Sequence, residues 1–165
     1  MKLLLFILLL FNSPGYELVK SLQDIYSPPK KDYVIIIDYT KSIDEDRLYL
    51  FDMKKKEIIL TSKVSHAYNS GKKYATKFSN SFGTKKSCIG AFITLDSYYG
   101  QWGYSMRIEG LDEGINNNAK KRGIVFHSNI VQKTSWSEGC FATPPEVNKK
   151  LINLVKGGNL IYVLD

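Results

Sequence analysis

Residues 124–146 read IVFHSNIVQKTSWSEGCFATPPE, and this stretch decides the fold around residue 140 and the chemistry that it can carry. An apolar run ends in His127, and a Ser-Glu-Gly-Cys turn ends thirteen residues later in Cys140. The Thr-Pro-Pro-Glu sequence that follows is typical of the start of a helix. The pattern predicts a strand that presents an imidazole, a glycine-containing turn that exposes a thiol, and a helix that anchors the turn. A cysteine is a nucleophile only as the thiolate, so it needs a nearby base or a positive field.

Two helices are predicted. For the helix after Cys140, we expect Thr143 at the N-cap, Pro144 at the first helical position and Glu146 at the third, where it completes a capping box. Gly157-Gly158 ends this helix. A short N-terminal helix is predicted over residues 17–26, because apolar residues recur there at helical spacing.

The rest of the chain predicts strands. Tyr33–Tyr39 is rich in β-branched residues, which indicates a strand buried on both faces. Residues 47–52 and 57–61, joined by three lysines, predict a hairpin. Further strands are expected at 63–68, 89–95, 104–108, 122–127 and 160–164. Eight strands with two helices predict a mostly β domain, either a sandwich or a barrel.

Cys140 also has two less reactive interpretations. A free cysteine usually behaves as a small buried hydrophobic residue, and an exported protein often uses cysteines in disulfides. The chain has two cysteines, so one Cys88–Cys140 bridge could form. Cys88 lies at the start of a predicted strand with no histidine or glycine turn beside it. The residues alone leave the catalytic, structural and disulfide interpretations open.

Residues 1–15 predict a signal peptide. Lys2 precedes nine apolar residues, a run that suits a signal peptide and falls well short of the ~20 residues of a membrane span. Ser13-Pro14-Gly15 supplies small residues for cleavage after Gly15. A buried first helix or an uncleaved membrane-associated end is the alternative. We expect export, with residues 16–165 as one domain that keeps no stable membrane span after cleavage.

The chain is basic, with 165 residues, a net charge of +7 and 44% apolar residues, a composition that excludes wholesale disorder. Nucleic acid is one common partner of a basic protein. An exported protein instead meets cell-wall polymers, lipid headgroups and polysaccharides. The lysines are scattered in short runs, which is typical of solvated turns and protected strand edges. We therefore expect no nucleic-acid partner, and we expect a monomer with neither a metal ion nor a cofactor.

An ordered set of short motifs carries a resemblance to a known family. In chain order they are Ser79-Asn80, Ser87 with Gly90 and Thr94, Tyr99-Gly100, Gly103 with Tyr104-Ser105-Met106-Arg107, Gly110-Leu111-Asp112, Asn116-Asn117-Asn118-Ala119, Arg122 with Ile124-Val125 and His127, Ser137 with Gly139-Cys140, and Lys156-Gly157-Gly158. From about residue 60 onward, the chain resembles the murein L,D-transpeptidase catalytic domain family, a branch of the YkuD-like fold. The resemblance implies a β-rich enzyme that acts on peptidoglycan stem peptides in the periplasm or cell envelope of a bacterium.

The resemblance also implies a reaction and the residues that carry it. In this family the cysteine attacks the carbonyl of meso-diaminopimelate in a stem peptide, the terminal D-alanine leaves, and an amine of a neighbouring stem or water resolves the thioester. Cys140 matches the nucleophile, and His127 matches the base. The backbone N–H groups of Gly139 and Cys140 are candidate oxyanion donors, and Ser128 is expected to orient His127.

Further residues are expected to contact the substrate: His66, Arg107, Arg122, Ser137 and Glu138. A structural hydrogen bond is the alternative role for His66. An ordinary charge on a strand surface is the alternative for the two arginines.

The chain departs from the family pattern beside both reactive residues. Ser128 follows the histidine where glycine is common, Glu138 precedes Gly-Cys where tryptophan or histidine is frequent, and Phe141 replaces a proline. A carboxylate that points at the nucleophile raises the thiol pKa. It could also attract the amine of an acceptor stem, whereas a Glu138 that points to solvent does neither.

We expect an L,D-transpeptidase that makes cross-links. The same thioester chemistry with water as acceptor gives an L,D-carboxypeptidase or a peptidoglycan hydrolase. A non-catalytic peptidoglycan-binding module with a structural Cys140 is the alternative from another class.

Overall fold

The computed structural model describes residues 13–128 and 136–165 and contains two helices and ten strands there. In chain order the elements are α1 (Ser13–Tyr26), β1 (Tyr33–Asp38), β2 (Leu48–Asp52), β3 (Glu57–Ser62), β4 (His66–Ala67), a 3-10 turn (Tyr68–Ser70), β5 (Gly90–Gly100), β6 (Gly103–Gly110), β7 (Val125–Ser128), β8 (Trp136–Ser137), β9 (Phe141–Thr143), α2 (Pro145–Val155) and β10 (Leu160–Leu164). The expected mostly β fold is confirmed, with a short N-terminal helix and one helix after the cysteine turn.

Eight of the strands form one sheet in the order β3-β2-β1-β10-β5-β6-β7-β9. The pairs β1–β10 and β7–β9 are parallel, and the other pairs in this sheet are antiparallel. Strands β4 and β8 form a separate two-stranded parallel pair. The predicted β2–β3 hairpin is confirmed, whereas the predicted strand over residues 63–68 is reduced to His66–Ala67.

Strand β1 is buried on both faces, as its β-branched composition predicts. Ile35 and Ile37 pack into the core that also receives Leu151 and Val155 of α2. The alternate residues of β1 pack on the opposite face with Val19 of α1. Because successive side chains of a strand point to opposite faces, the two helices cover the two sides of this strand.

The start of α2 differs from the expected capping box. Pro144, not Thr143, is the N-cap, and no side chain donates or accepts a capping hydrogen bond there. Thr143 belongs instead to β9, where it is fully buried and pairs in register with Ser128. The parallel ladder with β7 therefore extends Thr143 and excludes it from the capping position.

The predicted signal peptide falls largely on residues 1–12, which lie outside the described residues. Helix α1 begins at Ser13, so the expected cleavage position after Gly15 is helical here. The boundary between signal peptide and domain stays a prediction. Within the described part of the chain, no helix has the length and apolar character to cross a membrane.

Candidate active site

Two adjacent parallel strands bring His127 and Cys140 to one cleft. The β7–β9 register pairs His127 with Ala142, and Cys140 immediately precedes β9. Residues two apart on a strand share a face, so Cys140 lies on the same face as Ala142 and diagonally across from His127. Both side chains line a cleft of about 1120 Å³.

The turn that carries Cys140 is held by two serine hydroxyls. Ser137 Oγ donates to the Cys140 carbonyl at 2.7 Å and accepts the Gly139 N–H at 3.1 Å. Ser65 Oγ donates to the same carbonyl at 3.1 Å and accepts the Ala142 N–H at 2.9 Å. Gly139 has φ +136°, a conformation that side-chain-bearing residues rarely adopt, so a glycine is needed at this position. These contacts fix the direction in which the thiol projects.

The Cys140 thiol is partly exposed, and its surroundings raise its pKa. Burial raises its pKa, the Val125 N–H lowers it, the Glu138 carboxylate raises it, and the Arg122 guanidinium lowers it, in decreasing order of effect. Sγ donates to the Gly123 carbonyl at 3.7 Å. Both cysteines are free, and Cys88 is buried, so the structure contains no Cys88–Cys140 disulfide. Because the thiol pKa is raised, ionisation near neutral pH requires a base.

His127 is a neutral imidazole in a fixed tautomer. Its Nδ1 lies 2.9 Å from the Ser128 carbonyl oxygen, which can only accept, so Nδ1 carries the proton. Burial lowers the pKa of this histidine, while the bond to Ser128 raises it. The Trp102 ring stacks on the imidazole with the ring centroids 5.4 Å apart. Nε2 therefore presents a lone pair. Ser128 contacts His127 through its backbone carbonyl, while its hydroxyl donates to the Trp102 carbonyl at 3.3 Å.

The thiol and the imidazole share the cleft without a hydrogen bond between them. The proton on Sγ points to Gly123, not to His127. Catalytic hydrogen bonds are often long in ligand-free enzymes and tighten when substrate binds.

Of the two expected oxyanion donors, one already donates a hydrogen bond within the protein. The Gly139 N–H donates to Ser137 Oγ, so it is unavailable in this conformation. The Cys140 N–H donates to no side chain among the described residues. Of these two candidate donors, only the Cys140 N–H is therefore without a side-chain partner among the described residues.

Glu138 and Arg122 both line the cleft, and both have partners. Glu138 Oε1 lies 2.7 Å from Lys85 Nζ. The Arg122 guanidinium donates to the Ser79 and Lys86 carbonyls and to Cys88 Sγ, so its role is to hold the loop before β5. Within residues 13–128 and 136–165, no group of three or more His, Cys, Asp or Glu side chains is arranged to hold a metal ion.

A sequence model of the L,D-transpeptidase catalytic domain matches residues 15–164, nearly the whole chain. The chain belongs to the L,D-transpeptidase catalytic domain family. None of the curated proteins is similar enough in sequence to count as a match.

Solved structures of L,D-transpeptidases share the fold at low sequence identity. The L,D-transpeptidase of Stackebrandtia nassauensis is 15% identical with a TM-score of 0.54 and covers 92% of this chain and 64% of its own. A mutant Enterococcus faecium L,D-transpeptidase is 16% identical with a TM-score of 0.53 over 81% of this chain and 50% of its own. The helical cell shape determining protein of Campylobacter jejuni is 12% identical with a TM-score of 0.59 over 84% of this chain and 48% of its own. This chain thus spans about half to two thirds of their length.

Two residues expected at the substrate of this L,D-transpeptidase domain lie elsewhere. His66 is fully buried and is absent from the cleft lining, because Arg47 and the Gly71 carbonyl engage its two ring nitrogens. Arg107 points from β6 to solvent, where it pairs with Asp96 and lies over the Tyr98 ring. His66 therefore makes structural hydrogen bonds, and Arg107 is a charge on the strand surface. Ser137, in contrast, lines the cleft as expected.

Several site residues were not predicted from the sequence. Ser65 pins the cysteine turn, Trp102 packs on His127, and Lys85 pairs with Glu138. The exposed aromatic side chains on the cleft rim are Tyr68, Phe82, Trp102 and Trp136. The aromatic, glycine-rich 98–103 segment was a usable signal for Trp102. Nothing local distinguishes Ser65 or Lys85 from ordinary polar residues, because their partners lie more than fifty residues away.

Proposed function

We propose that this chain is an exported L,D-transpeptidase that transfers the acyl group of a peptidoglycan stem peptide through a thioester on Cys140. The observation that carries the proposal is the imidazole of His127, which holds its proton on Nδ1 and presents Nε2 in the cleft that contains the Cys140 thiol. Membership of the family supports the same chemistry.

In the first half-reaction, His127 Nε2 takes the thiol proton and the Cys140 thiolate attacks the stem carbonyl. The Ser128 carbonyl stabilises the imidazolium because it accepts a hydrogen bond from Nδ1–H. The Cys140 N–H, which donates to no side chain among the described residues, donates to the oxyanion. Collapse of the tetrahedral intermediate breaks the C–N bond, and the imidazolium returns its proton to the D-alanine amine that leaves.

In the second half-reaction, an amine of a neighbouring stem attacks the thioester. Its nitrogen loses a proton to His127, the C–S bond breaks, and the thiol is restored. Water in place of the amine gives an L,D-carboxypeptidase or hydrolase by the same steps. The acceptor therefore decides between the two enzyme activities.

The proposed partner is the stem peptide of peptidoglycan, reached by export to the periplasm or cell envelope. Among the described residues that line the cleft, Lys72, Lys85 and Arg122 are cationic and Glu138 is the single acid. This charge balance favours stems that carry free carboxylates. We propose a monomer, without nucleic acid, metal or cofactor.

Digestion of purified sacculi with analysis of the muropeptides tests the proposal. New cross-links that depend on Cys140 support a transpeptidase, and trimmed stems with no cross-links replace it with the water-using activity. Intact-protein mass after incubation with a carbapenem provides a check that needs no substrate. Acylation of wild type and of Cys88→Ala, but not of Cys140→Ala, is expected. An unmodified wild-type protein that also leaves sacculi unchanged would indicate a non-catalytic peptidoglycan-binding module.

A further inference from the structure

A charged pair stands at the rim of the cleft beside the nucleophile. Glu138 is two residues before Cys140, and its Oε1 lies 2.7 Å from Lys85 Nζ. The two side chains are exposed, at 66% for Glu138 and 45% for Lys85, so water or a ligand can reach both. Glu138 is also the only carboxylate among the described residues of the lining. An ammonium group, that of Lys85, therefore already occupies the one anionic position of the cleft.

Lys85 is held in a conformation that residues with a side chain seldom adopt. Its φ is +50°, and the other described non-glycine residues with positive φ are Ser27 and Lys56. Backbone strain of this kind persists where the surrounding structure imposes it, and it is frequent at binding sites. Lys56 has φ +60° in the turn between β2 and β3, where its ammonium lies over the Tyr16 ring and not in the cleft. Lys56 is therefore a matched control for Lys85, because it has the same kind of backbone strain and lies outside the cleft.

The charge of Glu138 has opposite consequences in the two halves of the reaction. While the Cys140 thiol must ionise, the carboxylate opposes the thiolate and raises its pKa. The Lys85 ammonium offsets this charge during that step. Once the thioester has formed, the sulfur carries no charge, so the Glu138 carboxylate no longer destabilises it. Glu138 can then exchange the Lys85 ammonium for another one.

We propose that Glu138 is the binding site for the primary ammonium group of the acyl acceptor and that Lys85 occupies this site until the acceptor arrives. This inference rests on the proposed function and specifies how that site selects an amine over water. The bound ammonium loses one proton to solvent, and the neutral amine attacks the thioester carbonyl. A C–N bond forms, the C–S bond breaks, and the second amine proton passes through His127 to restore the Cys140 thiol.

The test measures how a preformed acyl-enzyme partitions between aminolysis and hydrolysis. The donor is a disaccharide tetrapeptide, and the acceptor is the side-chain amine of a diaminopimelate-containing tripeptide, which is cationic at neutral pH. Hydroxylamine, which is uncharged at neutral pH, serves as the second acceptor. Removal of an exposed charge partner changes an equilibrium by about threefold. We therefore expect Glu138→Gln to lower the aminolysis-to-hydrolysis ratio about threefold for the tripeptide and to leave the ratio for hydroxylamine unchanged.

Glycine substitutions separate the Lys85 side chain from its backbone strain. Lys85→Gly and Lys56→Gly both remove a strained residue, so both are expected to fold at least as stably as wild type. Only Lys85→Gly should raise the ratio for the tripeptide, because it vacates Glu138. Equal ratios in Lys85→Gly, Lys56→Gly and wild type overturn the proposal, as does a change in Glu138→Gln that is the same for both acceptors.

Alkylation of the thiol tests the charge argument without any turnover. The rate of iodoacetamide reaction against pH should give apparent Cys140 pKa values in the order Glu138→Gln, wild type, Lys85→Gly, from low to high. Superimposable curves overturn the proposal. If the tetrapeptide never acylates Cys140, the proposed function itself fails and the ammonium site fails with it. If acylation is normal and the ratios do not move, only the ammonium site fails.

Discussion

The two histidines of this chain lie in regions that look alike in burial and differ in chemistry. His66 is fully buried and His127 is 8% exposed, and burial is the main cause that lowers the pKa of each. His66 uses both ring nitrogens, since Nε2 lies 2.9 Å from the Gly71 carbonyl and Nδ1 lies 3.0 Å from an Arg47 nitrogen. His127 uses only Nδ1 for a protein hydrogen bond among the described residues. The free nitrogen, not the burial or the direction of the pKa shift, distinguishes His127, the proposed base, from His66.

The region of His66 is organised around a buried arginine. Arg47 is fully buried and donates to the Val64 carbonyl through two nitrogens, at 3.0 and 2.7 Å. Its guanidinium also lies 4.9 Å from the centre of the Tyr39 ring. Arginine only donates hydrogen bonds, so the Nδ1 of His66 must accept, and this imidazole is neutral with its proton on Nε2. The two histidines therefore have opposite tautomers.

The largest effect is expected from Cys140, the proposed nucleophile. Cys140→Ala removes the covalent route and should lower the release of D-alanine from stem peptides by about 10³-fold or more, with the fold retained. Cys88 is buried and bonded to Arg122, so Cys88→Ala should cost about 1 kcal/mol of unfolding free energy and keep activity. The measurements are D-alanine release and urea unfolding. Loss of activity in Cys88→Ala with retention in Cys140→Ala would show that the nucleophile is Cys88.

The next effect tests the two histidines directly. His127→Ala should lower the rate at neutral pH by about 10²- to 10⁴-fold, the usual contribution of a general base. The raised pKa of Cys140 means that recovery should appear only above the ordinary thiol pKa of ~8.5. His66→Ala should have a much smaller effect on the rate per folded molecule. Rate profiles against pH for both variants measure this, and wild-type kinetics in His127→Ala would refute the proposed base.

The order reverses when unfolding free energy is measured. His66→Ala leaves a buried Arg47 donor without its acceptor, which should destabilise the fold by about 2–4 kcal/mol. His127→Ala should lower the unfolding free energy by less, because the Ser128 carbonyl and the Trp102 ring that it contacts lie at the cleft, where water can reach them. Urea unfolding of both variants gives the comparison. His66→Asn should recover part of the loss, since its side-chain oxygen can accept from Arg47, and no recovery would argue against this hydrogen bond as the cause.

The fold was predictable where the sequence pattern is local. β-branched residues identified β1, and the three lysines between two strand patterns identified the β2–β3 hairpin. The capping prediction for Thr143 was wrong because a long-range parallel ladder with β7 competes with the local capping signal. The resemblance supplied the family, but neither the pattern nor the family gives the tautomer of either histidine.

The site was predictable only in part, because the sequence suggested His127, Cys140 and Ser137 and did not indicate Ser65, Trp102 or Lys85. His127 and Cys140 line one cleft as the sequence suggested, whereas His66 and Arg107 do not. Arg47 lies nineteen residues before His66 in the sequence, and the course of strands β2 and β3 brings it beside the imidazole. The residues next to His66 in the sequence do not indicate this contact. A histidine acquires its role from partners that only the folded chain brings together.

The smallest effect concerns the pH dependence of stability. The folded-state pKa of His66 is lowered below its ordinary value of 6.5, first by burial, and Arg47 lowers it further while the Gly71 and Lys72 carbonyls raise it. Between the folded and ordinary pKa values, the unfolded chain therefore binds more protons. The stability that this histidine contributes is complete above its ordinary pKa and is lost as the pH falls towards the folded pKa.

The slope of that loss separates the two histidines. Each can contribute at most about 1.4 kcal/mol per pH unit. The share of His66 should be the larger, because an imidazolium there would face the Arg47 guanidinium, whereas an imidazolium at His127 would face the Trp102 ring, which attracts cations. Urea unfolding at intervals from pH 7 to about 5, above the range where most carboxylates titrate, measures the slope. We expect His66→Asn to flatten the curve more than His127→Asn does. A greater flattening in His127→Asn would mean that the cleft, and not the buried Arg47–His66 contact, responds to acid.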